Sequence, residues 1–291
     1  MIIFFAMIVK YLSIFNNLIG LHKLSEKVII KRVNKGAGNM QNILKVKDRV
    51  IGQGKPLICV SVMSSDTEEI INEIKTLVAE GVEMIEWRVD AFSGIKSPNA
   101  VREVLEKLAP IVRDTILVFT FRSKEQGGQC SLPSEKVYDL HQVAAESKVV
   151  DFIDVEYFYT ENADVEIYEL QKYGAKIITS HHDFHETPSS DVLYMLLEQM
   201  KHSNAEIVKM AMMPNSTEDV LRLLEETNHF HKRYPNQPLI TMAMGKMGVI
   251  SRVSGETFGS CVTFGAGQNA SAPGQIPMRD LKLILDSLSG E

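Results

Sequence analysis

Lys209 interrupts the apolar run Ala205-Glu206-Ile207-Val208-Lys209-Met210-Ala211-Met212-Met213-Pro214, which reads as a buried strand closed by Pro-Asn. A charge in such a run must be stripped of water, and desolvation favours the neutral amine, the form that attacks carbonyls. The competing reading is a lysine that snorkels to solvent or forms an ion pair. Other strand-like runs carry polar residues two apart, which share one face of a strand. Glu86 and Arg88 form one such pair, Thr120 and Arg122 a second, Asp154 and Glu156 a third, Ser180 and His182 a fourth, and Ser61 ends an earlier run. Each alone reads as an ordinary surface ion pair or cap. Gathered at one end of a sheet they are hard to account for by packing and describe a site. A desolvated lysine beside other cations attacks a carbonyl to give an iminium. The iminium acidifies the neighbouring C–H, and a histidine moves the proton. The stretch Ser180-His181-His182-Asp183-Phe184-His185 also raises a metal site. Adjacent strand residues face opposite ways, however, which separates His181 from His182. His181 and His185 serve equally well as surface or capping residues.

The elements that would position these residues alternate regularly from Leu57 onward. Strand-like runs fall at 57–62, 83–90, 115–121, 151–157, 175–180, 205–213, 238–243 and 261–265. Helical patterns fall between them: Ser65-Asp66 opens one that runs to Ala79 and stops at Gly81, and others span 99–113, 134–147, 163–173, 189–202 and 216–233. Pro277 opens the last helix. About eight strand–helix units make an α/β protein of the (β/α)8 TIM-barrel kind, whose sites lie at the C-terminal strand ends. A doubly wound sheet is the alternative, but no G-x-G-x-x-G follows the first strand. Residues 43–56, with a turn at Asp48-Arg49 and glycines at 52 and 54, predict a short hairpin closing the barrel floor.

The net charge of −6 and the lack of a basic tract interleaved with aromatics argue against a nucleic-acid binder. Cys59, Cys130 and Cys261 are odd in number and lack CxxC spacing, which fits a reducing cytoplasm better than a disulfide framework or zinc site. Residues 2–21 are mostly apolar, but Lys10, Asn16 and Asn17 break them, so they make a poor membrane span. Lys10 inside the run also spoils a secretory signal. Lys35-Gly36-Ala37-Gly38 back-translates to a purine-rich stretch just before Met40. The expectation is therefore an untranslated or disordered extension over 1–39 and a single catalytic domain over 40–291, with an interfacial amphipathic anchor as the alternative.

Six motifs together carry a resemblance. Glu86-Trp87-Arg88-Val89-Asp90, Thr120-Phe121-Arg122, His181-His182-Asp183-Phe184, Lys209 through Pro214, Gly248-Val249-Ile250-Ser251-Arg252 and Ser271-Ala272-Pro273-Gly274-Gln275 occur in that order. In this the chain resembles type I 3-dehydroquinate dehydratases from about Ile43 to its end. The resemblance implies a cytoplasmic homodimer that converts 3-dehydroquinate to 3-dehydroshikimate, the third step of the shikimate pathway, without metal or organic cofactor. It places Lys209 at the Schiff-base position and His182 at the general acid/base. Arg252 falls where the substrate carboxylate is held, a task suited to a planar guanidinium. Ser61, Glu86, Arg88, Arg122, Ser271 and Gln275 fall at substrate-binding positions, and Ala272 adds its backbone.

One position departs from the family pattern. Where members commonly carry a glutamate before Gly127-Gly128, this chain has Gln126. A glutamine can hydrogen-bond an imidazole but cannot stabilise its cation by charge, so the His182 pKa is expected to be raised less than a carboxylate would raise it. Glu125 could swing in as a substitute. The loops at 127–133 and 266–277 are the candidates for a closing lid. Three other readings compete: another Schiff-base aldolase, a metal-dependent lyase on the strand-five histidines, and a non-catalytic barrel that binds a pathway acid. The last has no use for both a nucleophile and a proton shuttle.

Overall fold

The computed structural model describes residues 44–268 and 270–290. The expected start at Met40 and the segment before it lie outside the described residues.

The hairpin forms as expected. Strands β1 (Leu44–Val46) and β2 (Arg49–Ile51) pair antiparallel, with Leu44 opposite Ile51. Val46 and Ile51 are buried in the same cluster as Leu57, Ile116 and Phe152 from the barrel interior, so the hairpin plugs the floor. Lys47, at φ 52° in the turn, ties it down by donating to the carbonyls of Val112 and Thr115 and pairing with Asp151 at 2.8 Å.

Eight parallel strands follow: β3 (Leu57–Val62), β4 (Met84–Arg88), β5 (Ile116–Thr120), β6 (Phe152–Glu156), β7 (Lys176–Asp183), β8 (Ile207–Met212), β9 (Leu239–Ala243) and β10 (Val262–Gly265). They hydrogen-bond in the order β10-β3-β4-β5-β6-β7-β8-β9. The ring closes between β9 and β10 through a single bridge, Leu239 to Ser260, helped by the Ser260 hydroxyl, which accepts from Thr241 N at 3.0 Å. This is the (β/α)8 barrel expected from the alternation.

The sequence period explains the layering. Alternate residues Met84, Val118, Phe152, Ile178, Ile207 and Ile240 fill the interior. Their neighbours Ile85, Trp87, Leu117, Phe119, Ile153 and Ile177 point outward under the helices. The first helix, α1 (Thr67–Ala79), begins where Asp66 Oδ1 accepts from Glu68 N at 2.8 Å, and buries Ile70, Ile74 and Leu77 on one stripe. Each such side chain contributes about 1.5–3 kcal/mol of burial. The remaining long helices are α2 (Pro98–Leu108), α3 (Ser134–Ser147), α4 (Ala163–Lys172), α5 (Ser190–His202) and α6 (Thr217–Arg233).

The expected boundaries shift in three places. Helix α2 stops at Leu108 rather than Arg113, because Pro110 bars a further helical turn. Two short helices, α7 (Val249–Val253) and α8 (Gly255–Phe258), precede β10, and α9 (Met278–Ser289) closes the chain. Strand β7 runs three residues beyond Ser180, pairing with β8 as far as Asp183 opposite Met212. That extension carries His182 inside the ladder, opposite Ala211.

Candidate active site

Above the apolar interior, the strand ends bring a layer of charge together. Lys209, on β8, is 3% exposed, so it does not snorkel. Its Nζ lies 3.1 Å from Asp154 Oδ2 and 3.3 Å from Glu86 Oε1, and 4.5 Å from the centre of the Phe264 ring. The expectation of a lysine set among cations is not met: its immediate polar neighbours are two carboxylates. The ion-pair reading is thus realised in the resting site, but inside a cavity rather than at a surface.

Both carboxylates are themselves held. Glu86 accepts from Ser61 Oγ at 2.6 Å and Thr120 Oγ1 at 3.0 Å; Asp154 accepts from Ser180 Oγ at 2.6 Å. Arg122 Nη2 lies 2.9 Å from Asp154 Oδ1, an ion pair whose angle misses that of a hydrogen bond. Arg122 Nη1 donates to Glu156 Oε1 at 2.9 Å and to Ser180 Oγ at 3.0 Å. Burial opposes the charge on Glu86, but Lys209 and Arg88 outweigh it and hold its pKa below the ordinary value. Burial also opposes the charge on Asp154, which Arg122 and Lys209 nevertheless hold at about 2. Buried ion pairs are seldom more stabilising than apolar residues of the same size, so a charged layer of this kind is explained better by chemistry than by stability.

His182 shares the cavity with Lys209. Gln126 Oε1 accepts from the His182 backbone N at 2.6 Å and lies 3.1 Å from its Nδ1. A ring that donates through Nδ1 presents Nε2 as an acceptor. Burial, then the charges of Arg122 and Lys209, push the His182 pKa well below its ordinary value. Gln126 is 1% exposed, and its Nε2 has no partner among the described residues.

The turn that delivers Gln126 depends on its glycines. Gly127 has φ 86°, and a Cβ there would meet the Phe184 ring at 2.4 Å. A Cβ on Gly128 would stand 1.8 Å from the Arg122 carbonyl oxygen.

The remaining expected residues divide in two. Arg88, Ser271 and Gln275 line the cavity together with Glu86 and Arg122. Arg88 is fixed by two bonds to Asp90, at 2.8 and 2.9 Å, and Gln275 Nε2 donates to Ser271 Oγ at 2.9 Å. Ser61 and Arg252 stand behind the lining. Ser61 is bonded to Glu86. Arg252 is 1% exposed and covered by the 266–277 loop, donating from Nη2 to Pro273 O at 3.0 Å. Among the described residues no carboxylate pairs with it, and burial alone pulls its pKa down to about 10. A buried guanidinium without an acid is primed for an anion.

The histidine cluster of β7 separates as alternation predicts. His181 packs edge-on against Phe158, with centroids 5.0 Å apart, while His182 faces the cavity. Asp183 Oδ1 turns to the backbone of His185 and Glu186. Among the described residues no group of three His, Cys, Asp or Glu side chains is arranged to hold a metal.

Some residues in and behind the cavity fall outside the expected catalytic and binding residues. Asp154 was visible as the in-phase partner of Glu156, but its contact with Lys209 requires the ring of strands. Phe264 and Met242 lie in phase on their strands, yet apolar residues there read as core. Asp90 closes one motif, and its role as the clamp for Arg88 is visible only in three dimensions.

An (β/α)8 barrel with a buried lysine, a tethered histidine and an unpaired arginine at its C-terminal face defines a barrel enzyme acting on a small anion. Comparison with known proteins narrows the class. The sequence pattern described as type I 3-dehydroquinase matches residues 58–291. A 3-dehydroquinate dehydratase from Clostridium botulinum (strain Eklund 17B / Type B) is 40% identical over 250 residues, covering 86% of this chain and 98% of the relative. One from Klebsiella pneumoniae (strain 342) is 40% identical over 86% of this chain and all of the relative. A crystal structure of the type I 3-dehydroquinate dehydratase from Clostridium difficile, described as with covalent modified comenic acid, has a TM-score of 0.82 at 40% identity, covering 86% of this chain and 99% of that one. The chain belongs to the type I 3-dehydroquinase family, hydro-lyases that dehydrate 3-dehydroquinate in the shikimate pathway.

Proposed function

We propose that this chain dehydrates 3-dehydroquinate to 3-dehydroshikimate through a Schiff base on Lys209, with His182 as general acid and base. The observation that carries the reading is a buried lysine sharing one cavity with a histidine whose Nδ1 side is tethered. The Lys209 amine adds to the C3 ketone and water leaves, giving an iminium. The iminium draws electrons from the C2–H bond, and His182 Nε2 takes that proton. The resulting enamine expels the C1 hydroxyl as water, protonated by the His182 imidazolium, and hydrolysis of the conjugated iminium frees the product. The adduct named in the Clostridium difficile structure supports covalent chemistry in a relative.

Arg252 binds the substrate carboxylate in this reading. To do so it must exchange Pro273 O for the carboxylate, which requires the loop segment that carries Pro273 to shift. The 266–277 loop therefore opens to admit substrate and closes over it, bringing Ser271 and Gln275 to its rim and keeping water from the iminium. Glu86, Arg88 and Arg122 orient the hydroxyls, with Ser61 acting through Glu86. The reading includes a cytoplasmic homodimer whose partners are small molecules rather than nucleic acid or membrane, needing no cofactor. No helix among the described residues is long and apolar enough to cross a membrane.

Borohydride added during turnover of 3-dehydroquinate tests the chemistry. The reduced adduct should appear by mass spectrometry on the Lys209 peptide, and Lys209→Ala should lose activity by several orders of magnitude. Turnover without any trapped adduct would overturn the mechanism.

A further inference from the structure

A second cavity lies outside the barrel mouth, between α3 and α4 and the loops that precede them. Its volume is about 210 Å³, several times that of the catalytic cavity at about 40 Å³. One wall is apolar, made by Phe121, Leu132 and Val137. The polar wall is acidic: Glu125, Glu156 and Glu166 line it, and no described lysine or arginine does.

An acidic wall alone would be a solvated surface, but here buried polar atoms lack partners. His141, on α3, is 1% exposed, and its Nδ1 lies 2.5 Å from Glu166 Oε1 on α4. Its Nε2 has no partner among the described residues, and neither does the buried hydroxyl of Ser123, another lining residue. Glu156 Oε1 is occupied by Arg122 Nη1 and Ser123 N, both at 2.9 Å. With Nδ1 donating to Glu166, a neutral His141 ring offers a lone pair at Nε2. His141 Nε2 and the carboxylates of this wall then accept hydrogen bonds, and the Ser123 hydroxyl both donates and accepts. A ligand that satisfies it must be rich in donors and positively charged, and its body must suit an apolar wall.

We propose that this cavity is a second binding site, for a small primary ammonium ion carrying an apolar body. The ammonium takes the place between Glu156, Glu166 and His141, and the body lies on Phe121, Leu132 and Val137. Because Glu156 also holds Arg122, the site shares one carboxylate with the catalytic network.

Benzylamine is the probe, with benzyl alcohol as its uncharged counterpart of similar shape. Calorimetry on the full-length protein at neutral pH should give saturable benzylamine binding with a Kd on the order of 1 mM, as expected for so few heavy atoms. Benzyl alcohol and the Glu166→Gln variant should each bind about tenfold more weakly. Val137→Phe, which fills the cavity from its apolar side, should abolish binding while its melting curve stays cooperative; this variant decides the matter if Glu166→Gln fails to fold. A crystal soaked with benzylamine should place the nitrogen within hydrogen-bonding distance of His141 or Glu156. Equal affinity for amine and alcohol, binding unaffected by Val137→Phe, or the ring found in the catalytic cavity would each overturn the proposal.

Discussion

Replacing Gln126 by glutamate puts a negative charge about 3 Å from the His182 ring without changing side-chain size. The amide oxygen now lies 3.1 Å from Nδ1, and the same oxygen accepts the His182 backbone N at 2.6 Å. A carboxylate at that position would keep the backbone bond, and with it the ionised form. Two opposite charges about 4 Å apart at an effective dielectric of about 20 attract by about 4 kcal/mol, roughly three pH units at about 1.4 kcal/mol each. The open side of the cavity screens part of this, leaving an expected rise of about 1–3 units. The sign is unambiguous. In the native protein, burial and the Arg122 and Lys209 charges hold the imidazole neutral far below pH 6.5. A base must be neutral to take the C2 proton, so the acidic limb of kcat/KM for 3-dehydroquinate should lie well below that value. Because kcat/KM reports the free enzyme, the substrate-free geometry is the right reference. In Gln126→Glu the limb should move up by about 1–3 units, with kcat/KM falling about tenfold per unit below it. Gln126→Met, which removes the acceptor without adding charge, should lower the plateau and leave the limb in place. An acidic limb that stays put or moves down in Gln126→Glu would refute the account of this contact.

Two further perturbations separate recognition from stability. Arg252→Met should weaken kcat/KM by about 2–5 kcal/mol, chiefly through KM, since it removes the cation that holds the carboxylate in this reading. The melting temperature should not fall, because the variant no longer buries a guanidinium without an acid; an unchanged KM would count against the assignment. His182 should also make the fold acid-sensitive. Its folded pKa lies below the unfolded value near 6.5, so the unfolded chain binds the extra proton and stability drops as pH falls from about 6.5 toward the folded pKa, by at most about 1.4 kcal/mol per unit. Denaturant melts of the native protein and His182→Asn from pH 7 to 5 should diverge accordingly, and parallel curves would remove this contribution.

Periodicity sufficed for the barrel, because the barrel strands bury nearly all of both faces and the long helices show apolar stripes, three of them opened by a capping side chain at Asp66, Ser97 or Ser216. It also placed Glu86, Arg122, His182 and Lys209 on one rim, since phase along a strand is a local property. Contacts between strands were beyond its reach. Nothing in the order of residues says that Asp154 on β6 lies 3.1 Å from Lys209 on β8, because that distance depends on strand tilt and closure. Nor does phase along β3 show that Ser61 stands one layer behind the lining, and Arg252, which lies on no strand, is indicated only by the resemblance of its motif, which carries no depth. The two short helices before β10 were missed because segments so brief complete too few turns to show a period.

The thin join between β9 and β10 divides the labour of the barrel. Glu86, Arg122, His182 and Lys209 stand on or next to strands that are continuously laddered to their neighbours from β3 to β9. Arg252, Ser271 and Gln275 belong to the stretch that begins after β9 and ends before α9, and one backbone bridge and a serine hydroxyl are most of what ties its strand to β9. In the proposed reading the lysine and histidine are thus anchored on the arc laddered from β3 to β9, while Arg252 lies beyond the β9–β10 join, on a stretch held to β9 by Ser251 Oγ, which accepts from Ala243 N at 2.9 Å, and to β3 by the β10 ladder. The acid this barrel accepts could then be changed by rebuilding residues 244–277 alone, leaving the lysine and histidine in register.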